Sequence, residues 1–173
     1  GQSCISGSRL LVHRSLMQSF ANRLVEVVSK AKVGDPTDPE IQIGPIANKL
    51  HYESVLENIA EAEKAGHRLL LDGRTVCRDK GYYIGPTIFA DVPNSDPLAQ
   101  TEVFGPVVSM LAFDDEDEAL RIANDTIYGL AAGIWTQEVN KAVRMAERVE
   151  AGTVYINNYF NASTQSPVGG FKQ

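Results

Sequence analysis

Three segments of the chain carry side chains able to do chemistry. The first is Gly1-Gln2-Ser3-Cys4-Ile5-Ser6-Gly7-Ser8-Arg9. A thiolate is a strong nucleophile, and a cysteine placed where a helix begins has its pKa drawn toward the reactive form. Small neighbours let a substrate approach the backbone, whose N–H groups can hold a developing oxyanion. The same pattern also suits a small buried hydrophobe, the commoner fate of a lone cysteine.

The second segment is Glu102-Val103-Phe104-Gly105-Pro106, where Gly-Pro marks a tight turn. Such a turn displays a carboxylate, which accepts hydrogen bonds from ribose hydroxyls, and an aromatic, which packs on a flat ring. It serves equally as a plain turn ahead of a strand. The third segment is the tail from Tyr155 to Gln173. A strand leads into Asn158-Tyr159-Phe160-Asn161-Ala162-Ser163-Thr164-Gln165-Ser166, then Pro167-Val168-Gly169-Gly170. Long loops after strands of an α/β sheet are where ligands usually sit. A surface loop is the alternative, though two adjacent aromatics sit uneasily in one. His13, His51 and His67 lack the spacing of a metal site or triad and read as structural or exposed; no metal is expected. The acidic run Asp114 to Glu118 reads as a solvated helix start.

Apolar periodicity supplies the scaffold for these segments. Arg9 to His13 predicts a strand. Ser15 would cap a helix carrying Leu16, Phe20, Leu24, Val27, Val28 and Ala31 on one face. A loop rich in proline and glycine covers residues 33–45. A second helix is predicted from Asn48 to Ala65, with Leu50, Val55, Leu56, Ile59 and Ala62 as its stripe and Gly66 as its stop. His67 to Leu71 predicts a strand, and Tyr82 to Val92 is extended around Pro86. Val107 to Phe113 is nearly all apolar, as in a strand covered on both faces. A helix over Asp114 to Asn124 has acids at its N-terminus, where the helix dipole favours them. A strand over Gly129 to Trp135, a helix over Val139 to Val149 and a strand over Gly152 to Asn157 complete the chain. The alternation predicts an α/β fold with a largely parallel sheet flanked by helices. Residues 1–173 read as one domain with a hairpin or irregular stretch near 72–90.

Composition narrows the class. With 43% hydrophobic and 22% charged residues, the chain has the make-up of a folded globular domain. A net charge of -6 without a basic stripe argues against nucleic acid as a partner. No apolar run nears the roughly 20 residues of a membrane span, so no membrane partner is expected. The two cysteines, Cys4 and Cys77, are too few for a disulfide framework or a structural zinc site. A reducing, cytoplasmic compartment is therefore expected. The chain opens without methionine and closes inside a glycine-rich run, so it reads as cut at both ends, with room upstream for a targeting segment.

Together the segments resemble the aldehyde dehydrogenase superfamily. Gly1-Gln2-Ser3-Cys4 resembles its nucleophile motif, Gly-Gln-x-Cys, followed by small residues and Arg9. Glu102-Val103-Phe104-Gly105-Pro106-Val107 resembles its Glu-x-Phe-Gly-Pro-Val motif. Asn124-Asp125-Thr126-Ile127-Tyr128-Gly129-Leu130 resembles its Asn-x-x-x-Tyr-Gly-Leu segment. Gly152-Thr153-Val154-Tyr155-Ile156-Asn157, the closing Pro167-Val168-Gly169-Gly170-Phe171-Lys172-Gln173 and the turn Ile43-Gly44-Pro45-Ile46 are also family-like. The motifs run in family order from end to end, over the later part of a normally far longer protein.

The resemblance implies the catalytic domain of an enzyme that oxidises an aldehyde substrate with NAD or NADP. Cys4 would attack the aldehyde carbonyl, and its backbone N–H would help hold the oxyanion. Hydride would pass to the nicotinamide, and water would hydrolyse the resulting thioester. Glu102 would bind the nicotinamide ribose hydroxyls and Phe104 would contact the nicotinamide end. Asn157 would order the active-site loop. Tyr159, Phe160, Ala162 and Val168 would border the aldehyde tunnel.

In the family, the dinucleotide-binding domain, the general-base glutamate and the oxyanion-hole asparagine lie upstream of the nucleophile. This chain would therefore depend on that missing N-terminal domain. A homo-oligomer is implied at full length. Many aldehyde-oxidising relatives carry large aromatics near positions 162 and 168; Ala162 and Val168 are small, which implies a reshaped tunnel with more room. Two other readings stay open. One is a CoA-acylating dehydrogenase, in which CoA takes the acyl group. The other is a non-catalytic domain serving only assembly, against which the intact motifs argue.

Overall fold

Burial runs unbroken along one central strand, and this requires cover on both faces of its sheet. The computed structural model describes residues 1–76, 80–161 and 165–173. Strands β1 (Arg9–His13), β2 (Arg68–Leu71), β3 (Thr87–Ala90) and β4 (Val107–Phe113) form a sheet in the order β1-β4-β3-β2. β3 runs parallel to β4, with Thr87 opposite Val107 and Phe89 opposite Ser109. β2 runs antiparallel to β3 with an irregularity between Leu69 and Leu71, and part of the hairpin or irregular stretch expected near 72–90 lies outside the described residues.

All four residues of β3 are buried. Ile88 and Ala90 join Val12, Met110, Met17 and Ala21 in one cluster on the face covered by helix α1 (Met17–Val28). Thr87 and Phe89 point the other way, by the two-residue period of a strand, and are fully buried as well. Both faces are thus covered, as the nearly unbroken apolar run of β4 predicts.

Helix α1 presents a different face from the one expected. The sequence predicts Phe20 and Val27 on the buried side. The structure buries Met17 and Ala21, with Leu24, Val25 and Val28 packed alongside, and leaves Phe20 41% and Val27 51% exposed. The helix also starts later. A 3-10 turn over Arg14–Leu16 precedes it, and Ser15 gives its backbone N–H to the His13 ring at 3.3 Å instead of capping. The later start leaves the two smaller or slimmer side chains, Met17 and Ala21, against the sheet.

Helix α2 (Lys49–Lys64) has the predicted limits. Asn48 Oδ1 accepts the His51 backbone N–H at 2.9 Å, and Gly66 leaves the helix at φ +85°, a conformation glycine adopts without a Cβ penalty. Val55, Ile59 and Ala62 are buried, but Leu50 is 80% exposed. Counting back by three or four from Val55 reaches Tyr52 and His51, not Leu50. The inward row therefore begins with a histidine.

The last 61 residues, Phe113–Gln173, form a second compact unit beside Gly1–Ala112 in sequence. It holds helix α4 (Glu116–Asn124), strand β5 (Ala131–Ile134), helix α5 (Val139–Arg148) and strand β6 (Thr153–Ile156); the short α3 (Pro97–Gln100) belongs to the first unit. β5 and β6 pair in parallel from Ala131 opposite Thr153 to Ile134 opposite Ile156. Asp115 caps α4 by accepting the Glu118 N–H at 2.8 Å. The acidic start of α4 is more than solvated: Glu116 pairs with Arg144 at 3.0 Å and Asp117 with Arg148 at 2.9 Å, joining α4 to α5. The fold is α/β, a largely parallel sheet flanked by helices. Among the described residues no helix is long and apolar enough to cross a membrane.

Candidate active site

Gly1 leaves no room for a side chain. A Cβ there would lie 2.0 Å from the Gly105 carbonyl oxygen and 2.8 Å from Pro106 N. The segment that leads to Cys4 therefore starts directly against the Glu102–Pro106 turn, and glycine is what permits that approach. Gln2 pins the segment from the other side. Its Nε2 donates to the Pro45 carbonyl at 2.9 Å, and its Oε1 accepts the Ala47 N–H at 3.0 Å. The loop it grips is itself fixed, because the Ile46 N–H donates to the Tyr82 carbonyl at 2.7 Å. This gives the Gly-Gln pair and the Ile43–Ile46 turn a shared structural purpose.

Cys4 follows in a turn closed by the Ser6 N–H donating to the Ser3 carbonyl at 2.9 Å, and it is exposed. Exposure removes the reading of Cys4 as a buried hydrophobe. The expected helix start at Cys4 is absent. Glycine, serine and β-branched isoleucine are poor helix formers, and the apolar residues that follow enter β1. The Ser109 N–H donates to the Ser8 carbonyl at 2.9 Å, drawing the segment into the sheet. Cys4 thus presents its thiol from a turn and not from the start of a helix.

The acid-aromatic turn is held from below. Val103 is buried, the Thr87 N–H donates to the Pro106 carbonyl at 2.8 Å, and the Val107 N–H donates to the Gly105 carbonyl at 2.8 Å. Gly105 sits on α2, where a Cβ would come 2.9 Å from both methyls of Val55. Phe104 adopts φ +54°, a left-handed conformation that costs a non-glycine residue roughly 1–2 kcal/mol. Its ring stays 37% exposed, and Glu102 is exposed beside it. His51 Nε2 lies 2.7 Å from the Phe104 carbonyl oxygen, and the two rings meet edge to face at 6.1 Å. The turn is both structural and a display: its apolar residues face in and its acid and ring face out.

The remaining predicted residues lie in the second unit. Asn157 takes φ +49° at the end of β6. Its Oδ1 accepts the Thr136 N–H at 2.9 Å, and its Nδ2 donates to the Thr136 carbonyl at 2.8 Å. Its own N–H donates to Ile134 at 2.8 Å, so the strand exit is locked at three points. Tyr159 stacks on Trp135 with 6.1 Å between ring centres and leans on Tyr155 at 5.1 Å. Burial pushes its phenol up, and the neighbouring Tyr155 adds to the shift. Gly133 makes space for this cluster, since a Cβ would meet Trp135 at 2.6 Å and Tyr159 at 2.7 Å. Phe160 sits at φ +63° and is 61% exposed; Val168 is exposed too. Ala162 and Cys77 lie outside the described residues.

The structure thus gathers Cys4, Glu102 and Phe104 in the first unit and Asn157, Tyr159, Phe160 and Val168 in the second. It also gives partners to residues without an expected role. Asn124 Nδ2 donates to the Arg148 carbonyl at 3.0 Å and its Oδ1 accepts the Glu150 N–H at 2.9 Å, tying the ends of α4 and α5 together. Lys172 donates to the Asn124 carbonyl and to that of Thr126, and pairs with Glu150 at 2.6 Å. Two family-like motifs, residues 124–130 and 167–173, meet in this polar knot. Their presence in order was legible, but their mutual contacts were not.

The family model described as "Aldehyde dehydrogenase family" matches residues 1–173. The chain belongs to the aldehyde dehydrogenase family. A betaine aldehyde dehydrogenase of Vibrio vulnificus is 43% identical over 175 residues, which cover 99% of this chain and 36% of that protein. An aldehyde dehydrogenase of Emericella nidulans is 43% identical over 173 residues, covering 100% and 35%. The NAD+ complex of an aldehyde dehydrogenase from Bacillus cereus matches with a TM-score of 0.95 at 38% identity, covering 99% of this chain and 35% of that one. A double mutant of a Staphylococcus aureus betaine aldehyde dehydrogenase in complex with NAD+ has a TM-score of 0.95 at 36% identity, with the same coverage. The chain spans about a third of the length of these relatives.

Proposed function

We propose that the full-length protein oxidises an aldehyde to a carboxylic acid with NAD or NADP, using Cys4 as the nucleophile. One observation carries this reading: Gly1 packs on Gly105, seating an exposed cysteine segment against the turn that displays Glu102 and Phe104. The donor set suits a nicotinamide nucleotide. The Glu102 carboxylate would accept hydrogen bonds from the ribose diol, and the exposed Phe104 ring would pack at the nicotinamide end.

When bound, the nicotinamide supplies an acceptor for hydride. The protein's own steps centre on sulfur. The Cys4 thiolate attacks the carbonyl carbon, a C–S bond forms, and the backbone N–H of Cys4 helps hold the oxyanion of the thiohemiacetal. Loss of hydride from that carbon leaves a thioester. Water then attacks, the C–S bond breaks, and the acid departs with the thiol restored. Asn157 would hold the exit of β6 toward Tyr159, Phe160 and Val168, which would border the aldehyde.

The NAD+ complexes of the Bacillus cereus and Staphylococcus aureus relatives favour NAD. The betaine aldehyde dehydrogenases among the relatives make betaine aldehyde the first substrate to test. On this reading the enzyme is a cytoplasmic homo-oligomer, and residues 1–173 alone turn over negligibly. The test is Cys4→Ala in the full-length protein. Dehydrogenase activity should fall to background; retained activity would remove Cys4 from the mechanism.

A further inference from the structure

We propose that His51 is a positioning residue for the cofactor turn, acting through the carbonyl of Phe104. This rests on the reading of Glu102 and Phe104 as the contacts at the nicotinamide end. The two residues are 53 apart in sequence, and their contact is made by the fold. A carbonyl oxygen only accepts, so His51 must present Nε2–H to it across 2.7 Å. Its ring also meets the Phe104 ring edge to face.

The location of this contact gives it a purpose. Phe104 is held at φ +54°, and a non-glycine residue persists there only where its surroundings over-determine the conformation. His51 supplies one of the constraints, gripping the carbonyl on the far side of the strained residue. It is a stiff one. Asn48 accepts the His51 backbone N–H at 2.9 Å, fixing the first turn of α2, and Val55 on the same inward row supports Gly105. One helix face therefore carries the first two residues of the turn after Val103, Phe104 and Gly105. This face bears on the direction in which Phe104 projects, and His51 is the member that grips its carbonyl.

The test uses the full-length protein with His51→Leu and His51→Gln. Leucine keeps apolar bulk beside the Phe104 ring but removes the donor, whereas the glutamine amide restores an N–H. H51L should raise KM for NAD+ about tenfold, a loss on the scale of one hydrogen bond. KM for the aldehyde and the iodoacetamide labelling rate of Cys4 without cofactor should not change. H51Q should return KM for NAD+ to within about threefold of the parent. An unchanged KM for NAD+ in H51L overturns the proposal, whether or not the variant melts earlier. Equal impairment of H51L and H51Q also overturns it. Glu102→Gln is measured alongside. If Glu102→Gln raises KM for NAD+ and H51L does not, the inference on His51 alone fails. If neither does, the cofactor reading of the turn fails with it.

Discussion

Replacing Gly1 with alanine in the full-length protein would drive a methyl group into the Gly105 carbonyl. The added Cβ would start 2.0 Å from that oxygen, where real Cβ atoms keep beyond 3.0 Å, so one backbone must move by about 1 Å. Neither partner yields easily. Gly105 is wedged on Val55 and its carbonyl accepts the Val107 N–H at 2.8 Å; the Gly1 side is tethered by the two Gln2 bonds. Overpacking of this kind costs about 1–3 kcal/mol of stability. A displacement of about 1 Å at a reacting group costs about a hundredfold in rate. Gly1→Ala should therefore lower kcat/KM for aldehyde with NAD+ by about two orders of magnitude in protein that still folds. Steady-state kinetics, with thermal melting to follow folding, measures both effects. Gly44→Ala is the control, because its Cβ would meet only Pro36 Cβ, at 3.8 Å; it should stay within about 0.5 kcal/mol of the parent. A Gly1→Ala enzyme with parental kcat/KM would refute the claim that this contact seats the nucleophile.

Two further predictions concern the scaffold. Asn157→Ala removes both bonds to Thr136 and leaves alanine at φ +49°; urea unfolding should show a loss of about 2–4 kcal/mol. Asn157→Gly should recover the conformational part only and fall between the two. Acid stability should depend on Asp72. Its two side-chain bonds from Arg74, at 2.9 and 2.8 Å, hold its carboxyl below the ordinary value of 3.8, with help from the Arg74 backbone N–H. A depressed folded pKa gives stability that is present above 3.8 and lost as pH falls through the lower folded value. Asp72→Asn should therefore be less stable than the parent at pH 6, and the gap should close under acid; a gap independent of pH in urea titrations would contradict this.

Signals that act within a few residues were legible in the sequence. Asn48 and Gly66 mark the ends of α2, because a side-chain cap and a left-handed glycine are local devices. The nearly unbroken apolar run of β4 predicts burial on both faces. The cysteine and acid-aromatic motifs are visible as residue types, and the approach of Gly1 to Gly105 gives them a geometry. What failed depended on distant partners. The face of α1 was misjudged because Met17 and Ala21 are chosen by the sheet they meet, not by the periodicity that also fits Phe20 and Val27. The helix expected at Cys4 did not form because its residues are drawn toward β1. His51 reads as structural or exposed from the sequence, but its partner, the Phe104 carbonyl, lies 53 residues away and is visible only in the fold.

Acid quenching of the full-length protein a few milliseconds after mixing with NAD+ and aldehyde, followed by peptide mass spectrometry, tests the chemistry most directly. The added mass of the acyl group should appear on the peptide carrying Cys4 and vanish as turnover ends. An acyl adduct on another residue, or turnover without any adduct when hydrolysis is made rate-limiting, would contradict the role given to this sulfur.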